Sequence, residues 1–465
     1  MTNESIQPAP AFLSAIQSLF GKRARLDAAD LLVYGYDNSR RETTPHAVCF
    51  AQNHSEVRAL VQLCAEYEVP LTTRGLGSGT TGAAVPINGG VVLSTERFAG
   101  LVKVDPENRL AIVEPGITNA VLQEALAKHG FFWPPDPTSA AYSTVGGNLA
   151  CNAAGPRAIK YGTPRDNTLG LIAVTGEGKT IKTGVCTSKG VVGYDLTRLL
   201  VGSEGTLAII TQATLRIVPL PESSRLLRAV YGSLQGATSA VANIMAQPET
   251  PSALEFMDPV AVSLVRDYAE AGLPDRAAAV LLIEVDGNKS GIEQAVKCIT
   301  AAAANEDLVE IRAAENEVET AALWTCRKSL SPALRKIAPK KINEDVVVPV
   351  TRLTELVSGL QELSAQYGVQ IVSFGHAGNG NLHVNLLGNP SAQGELQRME
   401  TCLQELFSLV LGLDGTLSGE HGIGLEKRQY VSMEIEPNAM QLMQQIKLQF
   451  DPKNILNPGK LFPDP

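Results

Sequence analysis

The chain has 465 residues, with 39 Lys and Arg against 48 Asp and Glu, a formal charge of −9. Hydrophobic residues at 44% and charged residues at 19% make an ordinary globular mixture, which excludes disorder for most of the chain and leaves room for about three domains or two larger ones. The acidic balance argues against general nucleic-acid binding, which needs a basic surface, and no apolar run reaches the roughly 18–20 residues of a membrane span.

The N-terminus, MTNESIQPAPAF, carries Glu4 and no Lys or Arg before its first apolar stretch, unlike a secretory signal. Residues 1–37 read as an N-terminal helical segment whose first ten residues, with Pro8 and Pro10, are loose. Seven cysteines (49, 64, 151, 186, 298, 326, 402) form no C-x-x-C pair. A disulfide framework, a zinc ribbon and a cysteine-held iron–sulfur cluster are therefore not expected. A cytoplasmic location follows, with peripheral attachment to the inner face of a membrane left open.

Residues 53–68 predict a helix. Asn53 can cap it with Glu56 three residues on, and Val57, Leu60, Val61 and Cys64 make one apolar stripe. A strand at 70–73 then enters a glycine cluster, Gly75, Gly77, Gly79, Gly82, Gly89 and Gly90. Strands follow at 91–94 and 110–113, a helix at 118–129 stopped by Gly130, and a strand at 207–218. Pro219 and Pro221 mark a domain boundary near 220. Beyond it the pattern is strand, helix, helix, strand, helix, with helices at 236–246 and 290–304 and a strand at 279–285. That resembles one or two ferredoxin-like β-α-β units.

The string TTRGLGSGTTG contains a G-x-G-x-x-G at Gly77, Gly79 and Gly82. A Rossmann site needs a helix directly after its glycines, and AAVPINGG cannot start one, so a nicotinamide site is rejected. GEGKT at 176–180 imitates a P-loop, but Ala173 stands where the first glycine belongs; Glu177–Gly178 reads as a hairpin turn. The glycines of the first cluster can instead aim backbone N–H groups at an anion, with Arg74, Ser78, Thr80 and Thr81 adding donors. A plain tight connection between strands would show the same glycines.

Further clusters narrow the choice. PPDPTS (134–139), STVGGNLACNAAGPRAIKYGTPRDN (143–167) and VGSEGTLAII (201–210) follow in order. With the glycine loop they resemble the p-cresol methylhydroxylase-type FAD-binding domain of the vanillyl-alcohol oxidase superfamily, over about 38–220. The resemblance implies an FAD pyrophosphate on Arg74, Gly75, Gly77, Ser78, Gly79 and Thr80. It places Pro135, Asp136, Thr138, Gly146, Gly147, Asn148, Asn152, Gly155, Tyr161 and Gly162 along the cofactor, and Glu204, Gly205 and Ile209 near its adenine side. Some members tether FAD through a histidine in or near this loop. None occurs between His54 and His129, which implies non-covalent FAD, with His46 and His54 just upstream.

Three of the six histidines lie between 376 and 421. VSFGHAGNGNLHVNLL reads as a hairpin turning at AGNGN, with His376 and His383 facing each other across it and Asn385 on the face of His383. In GTLSGEHGIG, Glu420 and His421 are adjacent and cannot serve one point in the same way. Glu420 suits a third metal ligand and His421 a base. Two His and one carboxylate with an open position fit Zn²⁺, Mn²⁺ or Fe²⁺. Taken singly, a histidine is more often a satisfied core or surface residue.

GHAGNGNLH, SGEHGIG and FDPKNILNPGKLF resemble the C-terminal part of the flavin-linked D-2-hydroxy acid dehydrogenases. That group includes D-lactate dehydrogenases, the glycolate oxidase flavin subunit and D-2-hydroxyglutarate dehydrogenase. The resemblance extends over about 38–463. It implies an α+β fold of a two-subdomain FAD-binding domain (38–220), a ferredoxin-like substrate or cap domain (221–415) and a C-terminal segment (416–465) that returns to the flavin with Asn457. It further implies metal ligands at His376, His383 and Glu420, a base at His421, and Asn385 beside the substrate. In WTCRKSLSPAL…KKINEDVVVP it implies a carboxylate clamp at Arg327, with Ser331 and Lys341 beside it; a planar guanidinium suits bidentate pairing. The expected activity is metal-assisted dehydrogenation of a D-2-hydroxy acid, D-lactate-like, with electrons leaving to a quinone, a cytochrome, an electron-transferring flavoprotein or an iron–sulfur subunit. The alternatives are a D-2-hydroxyglutarate dehydrogenase, a non-redox flavin transferase resembling alkylglycerone-phosphate synthase, and an electron-transfer subunit of a glycolate oxidase. A homodimer is compatible with all of them.

Overall fold

A computed structural model describes residues 8–268 and 273–463, and the side chains within this range except those of residues 265–268. Residues 1–7 of the expected loose start lie outside it; the first helix begins at Pro10 and runs to Phe20. The chain forms two compact units. The first runs to Ala154, resumes over Gly162–Leu220 and takes the C-terminal segment from Glu420 on. The second comprises Gly155–Tyr161 and Pro221–Gly419.

In the first unit, Ala47–Phe50, Val91–Ser94 and Leu71–Arg74 form parallel neighbours in a four-stranded sheet that Ala24–Arg25 extends antiparallel. AVCF and VVLS are buried at every position, as strands covered on both faces must be. The helix His54–Tyr67 covers this sheet. Asn53 caps it by accepting from the Glu56 N–H, while the Glu56 carboxylate takes the Gln52 N–H and an ion pair from Arg23. Its stripe of Val57, Leu60, Val61 and Cys64 joins one core with Ala47, Leu71 and Leu93, which Ile455 and Leu456 of the C-terminal segment complete.

A second sheet of the first unit is antiparallel, in the order Leu101–Asp105, Leu110–Val113, Ala208–Arg216, Thr168–Thr175 and Thr180–Gly184. The turn between the last two holds Gly178 at φ +73°, so GEGKT is a hairpin. Asn119–Ala127, capped by Thr118, packs Leu122 and Leu126 into this sheet's core with Trp133 and Leu149.

The second unit is one seven-stranded antiparallel sheet. Its order is Leu308–Ala313, Ser223–Tyr231, Ala279–Gly287, Ala253–Met257, Gln370–His376, Asn381–Gly388 and Lys340–Val347. The first four strands, with helices Leu234–Ala246 and Ile292–Ala303, have the 4-1-3-2 order of a ferredoxin-like unit. The last three, with helices Leu353–Tyr367 and Glu395–Gly412, repeat its first three strands. The missing fourth is reduced to a bridge between Val347 and Thr416. The strand Ala253–Met257 between the two helices of the first repeat is absent from the sequence-based pattern. It is five residues long, bounded by Pro251 and by Asp258–Pro259, and buried on both faces, so it shows no alternation. No helix among the described residues is long and apolar enough to cross a membrane.

Candidate active site

The glycine loop leaves the strand Leu71–Arg74, and no helix or strand forms between residues 75 and 90. The geometry after the glycines is therefore not that of a Rossmann fold. A Cβ on Gly75 would come within 2.3 Å of Thr144 Oγ1, and Thr144 accepts from the Gly147 N–H at the start of the helix Val145–Cys151. Loop and helix start can thus lie together only because residue 75 has no side chain. A Cβ on Gly79 would meet nothing nearer than Asp37 Oδ2 at 4.0 Å, so the backbone is open there. A glycine loop with open space at Gly79 fits the close approach of a dinucleotide pyrophosphate.

Several polar residues of the expected cofactor set are engaged with the protein. Arg74 donates to the Tyr36 carbonyl, and its guanidinium lies 5.5 Å above the Tyr34 ring. Asn148 takes a bond from Asn119 and gives one to Ser143. Asn152 has a left-handed backbone, φ +53°, and accepts from the Arg165 N–H. Asp136 donates its N–H to Ala154, and the Pro135 carbonyl accepts from Asn119. Glu204, at φ +52°, is buried; its carboxylate accepts from the N–H groups of Ile423 at 2.6 Å and Gly424 at 2.8 Å. Burial pushes that carboxyl up, and these two N–H groups with the charges of Lys460 and Lys427 oppose it. Gly162, Gly205 and Ile209 stay in the first unit, whereas Gly155 and Tyr161 belong to the second, where Tyr161 donates to Asp286 at 2.8 Å. Of the two upstream histidines, His46 accepts from the Gly90 N–H, and both ring nitrogens of His54 meet threonine hydroxyls, Thr211 and Thr180.

In the second unit the hairpin Gln370–His376/Asn381–Gly388 turns through Ala377–Gly380, as the AGNGN string predicted. Its register differs from expectation. His383 pairs with Phe374, and His376 lies past the last pair, opposite Glu255 on its other side. The four-residue connection sets that register. His376 and His383 still share a face, diagonally, and their rings meet at 5.1 Å with an interplanar angle of 84°. Asn385 is on the same face and fully buried. Its amide N–H groups go to the Val372 and His383 carbonyls, and its Oδ1 has no hydrogen-bond partner.

Ser418 and Gly419 bond to the buried Asp345 carboxylate, and Glu420 follows directly. His376 and His383 offer two ring nitrogens from one face of the hairpin, and Glu420, directly after Gly419 in the chain, is the carboxylate candidate for a third ligand. With His376 Nδ1 held by Glu255, Nε2 is the nitrogen that can face a cation. This donor set fits a divalent transition metal. The carbonyl of His421 accepts from the Thr81 hydroxyl at 3.2 Å, so the next residue is tied to the glycine loop's own unit.

The helix Glu317–Ile337 carries Arg327 and Ser331 one turn apart. Arg327 is 8% exposed, stacks 4.8 Å over the Phe374 ring and pairs with Glu255 at 2.6 Å. Lys341 donates to the Ser331 hydroxyl at 2.8 Å, which joins the two residues that the resemblance puts beside the clamp. The residue that sequence reasoning missed is Glu255. Burial pushes its carboxyl up, but His376 and Arg327 more than reverse this and take it down to about 2. Its only sequence signal is an acidic residue inside an otherwise apolar string, SALEFM.

The chain matches the FAD binding domain family over residues 45–184 and the C-terminal domain of FAD linked oxidases over 220–461. It is 39% identical over 435 residues to the glycolate oxidase subunit GlcD of Bacillus subtilis, covering 93% of each chain. It is 37% identical to the D-lactate dehydrogenase of Archaeoglobus fulgidus, covering 92% of this chain and 95% of that one. Among solved structures, p-cresol methylhydroxylase superposes with a TM-score of 0.81 at 16% identity, over 98% of both chains, a likeness of fold. With its non-Rossmann glycine loop, paired histidines and buried arginine, the chain belongs to the FAD-linked oxidoreductases of the D-lactate dehydrogenase and glycolate oxidase GlcD family.

Proposed function

We propose that the protein dehydrogenates a D-2-hydroxy acid, D-lactate or a close analogue, to the 2-oxo acid, with metal assistance and with a non-nicotinamide electron acceptor. Bound non-covalently, FAD supplies the two-electron oxidant, and a divalent cation, Zn²⁺ before Mn²⁺ or Fe²⁺, supplies Lewis acidity at the substrate hydroxyl. His376, His383 and Glu420 hold the cation. Arg327 pairs with the substrate carboxylate as a planar fork, and Ser331 with Lys341 forms the polar end beside it. Asn385 presents its unpartnered Oδ1 toward the substrate. His421 takes the hydroxyl proton, so the substrate gives up one proton to it and one hydride to the flavin oxidant and leaves as the 2-oxo acid.

The observation that carries this reading is that the rings of His376 and His383 meet 5.1 Å apart while Glu255 joins His376 to the buried Arg327. D-Lactate is preferred because relatives 37% and 33% identical carry the name D-lactate dehydrogenase. A second reading, the flavin subunit of a multi-subunit glycolate oxidase, is favoured by the GlcD relative. A D-2-hydroxyglutarate dehydrogenase would use Lys341 for a second carboxylate. None of the seven cysteines is in a disulfide, which suits the cytoplasm or the inner face of a membrane.

The test is an anaerobic visible spectrum of the flavin-loaded protein with D-lactate, L-lactate, glycolate and D-2-hydroxyglutarate, before and after chelation. Flavin bleaching by D-lactate that chelation abolishes supports the reading. Bleaching by glycolate alone favours the second reading. Bleaching insensitive to chelation overturns the metal's part, and a flavin that none of the four acids reduces overturns the activity.

A further inference from the structure

Glu255 sits in the middle of the strand Ala253–Met257 and is 1% exposed. Its two carboxylate oxygens serve two different residues. Oε1 is 2.5 Å from His376 Nδ1, and Oε2 is 2.6 Å from a terminal nitrogen of Arg327. A single partner would suffice to hold a buried carboxylate ionised. Here each oxygen instead holds one member of a separate binding function.

On the histidine side, a carboxylate at Nδ1 fixes the tautomer. The proton sits between Nδ1 and Glu255, and the Nε2 lone pair is left for a cation. On the arginine side, Glu255 takes one terminal nitrogen, and the guanidinium carbon lies 4.8 Å from the Phe374 ring centroid. Arg327 Nε is buried and has no hydrogen-bond partner. A buried, unpartnered donor on a planar fork held in place is what an incoming carboxylate would complete.

We propose that Glu255 is a positioning residue that couples the two halves of the substrate site: it turns His376 so that Nε2 meets the metal, and it holds Arg327 in the plane in which Nε meets the substrate carboxylate. This rests on the reading of His376 as a metal ligand and of Arg327 as the carboxylate clamp. Loss of this carboxylate disturbs both functions together, whereas Arg327 variants disturb only substrate binding and Glu420 variants act first on the metal. A glutamine at 255 can offer its one carbonyl oxygen to His376 or to Arg327, but not to both.

The experiment measures the Zn²⁺ affinity of the full-length, flavin-loaded protein, stripped of metal, by competition with a chromophoric chelator. KM and kcat are then measured at saturating Zn²⁺. Wild type, Glu255→Gln, Arg327→Met and the double variant Glu255→Gln/Arg327→Met are compared. The double variant avoids leaving Arg327 unpaired in the core, so it reports even if the single Gln variant folds poorly. Expected are Zn²⁺ affinities 10–100-fold weaker in both variants lacking Glu255 and wild-type affinity in Arg327→Met. In Glu255→Gln, KM at saturating Zn²⁺ rises at least tenfold while kcat stays within a few-fold. Wild-type Zn²⁺ affinity in both variants lacking Glu255, or an unchanged KM in a folded Glu255→Gln, overturns the proposal and leaves the metal reading standing. Failure of the wild type itself to take up Zn²⁺ overturns the metal reading, and the histidine half of this proposal with it.

Discussion

Asn457 donates its side-chain amide to the carbonyl of Glu204 at 2.8 Å, across 253 positions of sequence, and also to the carbonyl of Ala83 at 2.9 Å. One amide thereby ties the C-terminal segment to the turn of the EG motif and to the end of the glycine loop. Lys460 completes the tie by donating to Ala83, to Val85 and to Asn457 Oδ1. The glycine loop therefore owes its shape partly to residues at the far end of the chain.

Asn457→Ala takes a partner from the buried Glu204 carbonyl and from the Lys460 ammonium, while the Ala83 carbonyl keeps Lys460. The expected cost is about 1–3 kcal/mol for each group left unsatisfied. A lower melting temperature and a lower flavin-to-protein ratio after gel filtration are the expected outcomes. Full flavin retention at wild-type stability would show that the tie does not shape the loop.

Lys460 gives a pH test. Burial lowers its ammonium to about 8, against the pull of Glu204 and Asp37. In the unfolded chain it titrates near 10.4. Between these values the unfolded state binds more protons, so this group makes stability rise with pH. Its penalty of about 3 kcal/mol is in full force below pH 8 and is relieved as the pH rises toward 10.4. Urea unfolding of wild type and Lys460→Met at pH 7.5 and 9.5 isolates the effect. The stability of wild type relative to the variant should increase at the higher pH, and a constant difference would refute it.

Arg327→Lys keeps the charge but replaces the fork with a point charge. The expected result is a KM for the hydroxy acid raised about 10–100-fold, the loss of one charge-assisted bond of about 1.5–3 kcal/mol. Steady-state kinetics with a dye acceptor measure it, and an unchanged KM would remove Arg327 from the carboxylate role.

His421→Ala should retain flavin, because the residue meets the glycine-loop unit through its backbone carbonyl. Flavin reduction in stopped flow should slow by about 10²–10⁴, the usual share of a general base. Unchanged reduction kinetics would take the proton-accepting role away from His421.

Local signals were legible wherever local physics decides. Asn53 and Glu56 cap the helix that their spacing announced, and Gly178 makes the turn that a P-loop could not. Pro86 with Gly89 and Gly90 excludes a helix after the glycine loop, and none forms. The hairpin of His376 and His383 was legible as a hairpin, but its register was not. One residue in the connection shifts every pair, and only the finished turn shows that His383 faces Phe374.

By itself the sequence determined the α+β class, the cofactor motifs and the residue types available for acid–base and metal chemistry, because spacing, caps and turn residues act within a few positions. Only the tertiary structure decided that Gly155–Tyr161 belongs with the second unit, that Asn457 closes on Glu204, and that Glu255 joins His376 to Arg327. Those relations are long-range pairings of buried polar groups. They exist because a polar group taken out of water must find a partner, and no local pattern of residues says which one the folded chain will bring to it.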